Sequence, residues 1–182
     1  MGVIMPLLEP TKGPRSFIVL GWVVIALSAL PLSDGVFLTA TPVDSEAAFG
    51  FGGIALIIFA ARAYGDELPY GWCFAAASFV AISLLVHFDR DLLYTSLTVP
   101  LLGCLLLSSA LRISIGLQSQ PIDGAAWLTA SGMFGLLDTA VILWLNSMQL
   151  PISNVFLIGL DMVVFGIAVI LFGISTASKS RL

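Results

Sequence analysis

Long apolar runs separated by short polar breaks dominate this chain. Stretches such as Phe17 to Leu30 and Val155 to Ile174 are apolar on every helical face, with none of the strict alternation that a spanning strand requires, so they read as helices. Punctuating the runs at their polar breaks predicts six spans: Phe17 to Thr39, Ala47 to Ala63, Tyr70 to Phe88, Leu92 to Ile113, Ala125 to Leu145 and Ser153 to Ser175. Pro31 and Gly35 fall inside the first, which is expected to kink or to end near Leu32. The break at Asp89 to Asp91 is so short that spans three and four must form an antiparallel hairpin.

Composition agrees with the pattern. The 182 residues are 59% hydrophobic and 10% charged, with a mean hydropathy of +1.07. So few charges cannot cover the surface of a water-soluble domain, and the apolar surface needs lipid. The fold class expected is all-α, a polytopic bundle of six transmembrane helices, with residues 1–16 as a cytoplasmic lead-in, 17–175 as the transmembrane domain and 176–182 as a cytoplasmic tail. Pro6, Pro10 and Pro14 make the lead-in irregular, and it lacks the short apolar core and cleavage pattern of a signal peptide.

Charge then orients the bundle. With the N-terminus inside, Lys12, Arg15, Arg62, Arg112, Lys179 and Arg181 fall on the cytoplasmic side and only Arg90 outside, as the positive-inside bias requires. Both termini are therefore expected in the cytoplasm of a bacterial-type inner membrane. The net charge of -4 and the lack of a basic run exclude nucleic acid as a partner. Cys73 and Cys104 lie at different depths within spans, so neither a disulfide nor metal-ligand spacing is expected.

An internal repeat is legible at an offset of 50. Gly21-Trp22 followed by Arg62 matches Gly71-Trp72 followed by Arg112, while Gly53, Leu56 and Ala60 match Gly103, Leu106 and Ala110. Trp127 opens a third and slightly longer unit, which suggests three parallel helix hairpins.

More specific residues occur in the last hairpin. The stretch Gly132-Met-Phe-Gly-Leu-Leu-Asp138, then Trp144, Pro151-Ile-Ser153 and Ile158-Gly-Leu-Asp161-Met-Val-Val-Phe-Gly166, resembles the HdeD-type acid-resistance membrane protein family. The resemblance implies a small bacterial inner-membrane protein of six helices in repeated hairpins, linked to survival in acid or stress. It brings no catalytic residues and no cofactor.

Two acids lie within the spans. Helical rise puts Asp138 and Asp161 at about the same depth, roughly 12 Å from the outer side of the apolar layer. They sit in one hairpin, with no basic residue expected at that depth. Desolvation and mutual repulsion both disfavour a second charge there, so the pair would share one proton. It is then either a protonation site or a lock in which each Asp bonds Ser131, Thr139 or a backbone carbonyl. His87, the only histidine, stands at the outer end of span three beside Asp89, Arg90 and Asp91, where it is either an external pH sensor or one polar residue of a wet loop.

The glycines at 50, 52, 53, 132, 135, 159, 166 and 173 are spaced for close helix packing, or for a seam with a second copy or a membrane partner. Neither intramembrane-protease aspartate settings nor a Gly-x-Ser-Gly motif is present, and no nucleotide loop appears, so an enzyme is not expected. The leading expectation is a non-enzymatic stress protein. The alternative is a small proton-coupled transporter or channel that uses Asp138 and Asp161.

Overall fold

A computed structural model describes residues 14–37, 42–64, 70–88, 99–120, 122, 124–148 and 154–179. These form six helices and no strand: α1 Pro14–Phe37, α2 Pro42–Tyr64, α3 Tyr70–Phe88, α4 Val99–Gln118, α5 Ala125–Ser147 and α6 Asn154–Lys179. Each is long and apolar enough to cross a membrane. The surface is inverted relative to a soluble protein. Trp22, Phe51, Phe74, Leu107 and Leu137 point outward, while serines, an arginine and two aspartates lie within. Such a surface fits lipid and not water.

Each helix packs on its neighbours in the chain, and α6 closes on α1, giving a ring in the order of the sequence. The seams alternate. The more extensive ones are α6 with α1, α4 with α5 and α2 with α3, and those within the hairpins read from the sequence are looser. Glycine explains the first of these. Gly21 and Gly166 face each other so closely that a Cβ on either would lie within 3 Å of the other's carbonyl oxygen, and Gly159 and Gly173 continue the contact onto Leu32 and Ile18. In lipid there is no water to expel between helices, so close backbone packing supplies the attraction. The seven-residue spacing of Gly159, Gly166 and Gly173 thus marks the α1-facing side of α6.

Aromatic side chains fill the interior at the end of the ring that holds the start of α1. Phe17 meets Trp72 at 5.1 Å and Phe172 at 5.2 Å between ring centroids, and Tyr64 closes on Phe17 at 6.0 Å. Phe165, two turns nearer the middle than Phe172, reaches both Trp72 and Phe79.

Four expectations change. α1 continues through Pro31 to Phe37 instead of ending near Leu32. α4 begins at Val99 with Pro100 in its first turn, a position that tolerates proline, and runs to Gln118. The span expected to end at Ile113 thus runs on to Gln118, while its expected start at Leu92 and the break at Asp89 to Asp91 lie outside the described residues. The repeat at an offset of 50 also pairs unlike environments. Trp22 is 61% exposed and Trp72 2%, while a Cβ at Gly53 would strike the Ala76 carbonyl and one at Gly103 would meet nothing within 4 Å. α6 extends beyond residue 175, and Thr176 is buried within the bundle.

Candidate functional site

The longer reach of α4 puts Arg112 six residues inside the helix end, about 9 Å of helical rise, where the sequence reading had it at the cytoplasmic boundary. Ser108, Ser109 and Arg112 share the inward face of α4 with Leu101 and Leu105. Arg112 is the largest fully buried side chain described, at 1% exposure.

Its guanidinium crosses in front of α5 to reach α6. Nη1 donates to Asp161 Oδ1 at 3.0 Å and Nη2 to Asp161 Oδ2 at 2.7 Å, a bidentate pair. This fork matches the planar geometry of guanidinium and carboxylate. Nη2 also donates to Ser109 Oγ at 3.3 Å and Nε to the Ser108 carbonyl at 3.4 Å. Below the pair, the Phe165 ring centroid lies 5.2 Å from the guanidinium carbon, close enough for a cation–π contact.

Gly135 of α5 makes the crossing possible. A Cβ there would land on Arg112 Nη2, lie 2.5 Å from Ser109 Oγ and 2.9 Å from Asp161 Oδ1. Glycine at 135 is thus a gap through which α4 reaches α6, a different use from the backbone packing of Gly132 against Ser109 and Ile113.

Asp138 lies one turn along α5 from that gap and is 7% exposed. It makes no hydrogen bond with the described residues. Ser131 and Thr139, expected as partners for the aspartates, instead donate to their own helix, Ser131 to the Leu128 carbonyl at 2.8 Å and Thr139 to the Gly135 carbonyl at 2.7 Å. Such back-bonding is the usual fate of a hydroxyl in an apolar helix. The expected pair of aspartates without a counter-charge is therefore corrected. The structure buries both Asp138 and Asp161 but adds Arg112, which pairs with Asp161 and leaves Asp138 as the carboxyl without a direct partner.

His87 is separate from this cluster. Its Nδ1 lies 2.9 Å from Glu46 Oε1, across the ends of α2 and α3, and Ser83 Oγ donates to the Glu46 carbonyl one turn away. Asp89, Arg90 and Asp91, which the sequence placed beside it, lie outside the described residues. Cys73 and Cys104 are both free thiols.

Arg112 is the functional candidate that the sequence reading missed. The signal was present in Pro100, which marks a helix start, and in Ser108, Ser109 and Arg112, which share one face. No protein-family model, curated protein or solved structure matches the chain.

Proposed function

We propose that this chain is a multi-pass, non-enzymatic protein of a bacterial-type inner membrane, with a role in resistance to acid or general stress, in which Asp138 is the proton-responsive group. The stress role rests on the HdeD-type resemblance of the last hairpin. The proton-responsive role rests on one observation: a buried carboxyl without a hydrogen bond lies in the field of a completed Arg112–Asp161 pair. Ionisable groups at such depth are costly and are typically retained for a reason.

Asp161 has the structural part in this reading. Bound at both oxygens by Arg112, it holds α4 to α6 across the front of α5. The transporter or channel alternative needs an aqueous route through the ring, and the packed rings of Phe17, Tyr64, Trp72 and Phe172 fill the interior at one end. That packing supports a responsive membrane element over an open conduit.

With Arg112 buried in the bundle, five basic residues remain on the cytoplasmic side of the proposed topology, Lys12, Arg15, Arg62, Lys179 and Arg181, against Arg90 outside. The bias still favours both termini in the cytoplasm. Reporter fusions at each terminus would test this. The functional test is survival of a bacterial host in acid with the wild-type protein or Asp138→Asn, which keeps polarity and volume but cannot titrate. Loss of protection with normal membrane abundance supports the reading, and unchanged survival refutes it.

A further inference from the structure

Building on Asp138 as the proton-responsive group, we infer that Arg112 is a transferable counter-ion, held by Asp161 of α6 when Asp138 is protonated and drawn toward Asp138 of α5 when Asp138 is ionised. Three observations carry this. The guanidinium has unused donor capacity toward a second acceptor, since Nη1 makes only its bond to Asp161 Oδ1. Asp138 has no hydrogen bond with the described residues, so it has acceptor capacity, and it lies one turn along α5 from Gly135, against which the guanidinium rests. Gly135, one turn before Asp138 on α5, lets the guanidinium lie against α5 itself, since a Cβ there would land on Nη2.

The charged groups in play come from three helices: Arg112 from α4, Asp138 from α5 and Asp161 from α6. Elsewhere, Arg15, Glu46, Arg62, Tyr64, Tyr70, Cys73 and His87 lie near the ends of α1 to α3, and Cys104 lies on α4 two turns from Arg112. With both aspartates ionised, one guanidinium faces two carboxylates in a medium of low dielectric. With Asp138 neutral, nothing competes with the bidentate bond to Asp161. Proton uptake at Asp138 thereby tightens the link between α4 and α6, and proton loss loosens it in favour of the neighbouring α5. What the proton regulates is thus whether α4 is tied across to α6 or to its ring neighbour α5.

The test follows the guanidinium itself, by nitrogen NMR of arginine-labelled full-length protein in lipid nanodiscs from about pH 8 to about pH 4, with Arg112→Lys used to assign the Arg112 signals. A bidentate pair hinders rotation about the guanidinium bonds and splits the Nη resonances, whereas exchange between two carboxylates averages them. The expected wild-type result is averaging at the basic end and splitting at the acidic end, with Asp138→Asn split throughout. Asp161→Asn should move Arg112 onto Asp138, giving splitting that collapses in acid. If that variant does not fold, the comparison of wild type with Asp138→Asn decides alone. Arg112 signals that are the same at both ends of the range in wild type overturn the exchange. An exchange that fails while Asp138→Asn still abolishes acid protection leaves the proposed function standing. An exchange that is seen while protection is unchanged removes the function and keeps the exchange.

Discussion

Arg112 and Asp161 meet through two parallel N–H···O bonds of 3.0 and 2.7 Å although 49 residues separate them in the chain. The pair joins two helices that are not neighbours in the ring, α4 and α6, and the helix between them makes room with a glycine. Removing one partner leaves the other charged and buried, which costs about 3–5 kcal/mol in comparable buried pairs. Arg112→Met, which orphans Asp161, is expected to destabilise the bundle by that order, and Asp161→Asn by less, because Asp138 can take up Arg112. The double variant Arg112→Met with Asp161→Leu should recover most of the loss, because it leaves no orphaned charge. Unfolding in mixed micelles, followed by circular dichroism, measures all three.

Gly135→Ala should also destabilise the protein, through the ion pair and not through helix propensity, since alanine is the better helix former. Its Cβ would displace Arg112 Nη2 and crowd Asp161, and overpacking of this kind costs roughly 1–3 kcal/mol. Gly103→Ala is the control. Its Cβ meets nothing within 4 Å, so a neutral or slightly stabilising effect is expected in the same unfolding assay.

The α1–α6 seam should tolerate enlargement least at its closest point. A Cβ at Gly21 would lie 2.5 Å from the Gly166 carbonyl, and backbone cannot rotate away as a side chain does. Gly21→Val is expected to lower the unfolding midpoint more than Gly52→Val, whose Cβ makes only ordinary contacts of 3.6 Å and longer.

His87 and Glu46 tie the ends of α3 and α2 through a 2.9 Å contact. His87 is more than half exposed, so Glu46→Gln is expected to change stability by at most about 0.5 kcal/mol in the same unfolding assay. A loss well above that would show the contact to be stronger than an exposed pair.

The six helices follow from hydropathy alone, because a membrane span must be apolar over a fixed length and the chain repeats that condition six times. Tyr70–Phe88 was read to the residue. The packing use of Gly159, Gly166 and Gly173 was legible too, since their period places them on one face whatever that face meets. The repeat at an offset of 50 was less informative. Similar residues recur by composition, but burial depends on how each helix is rotated, and Trp22 and Trp72 ended in opposite environments.

What sequence alone determined, then, is the membrane as solvent, the number of helices and the presence of Asp138 and Asp161 within them. Tertiary structure decided which charges meet. Hydropathy averages over a window and so blurs a helix end by several residues, enough to put Arg112 at the boundary or inside. Pairing depends further on rotation and on the gap at Gly135, neither of which a one-dimensional pattern records. Arg112 therefore read as a marker of the cytoplasmic side, and folding made it the counter-charge of the core.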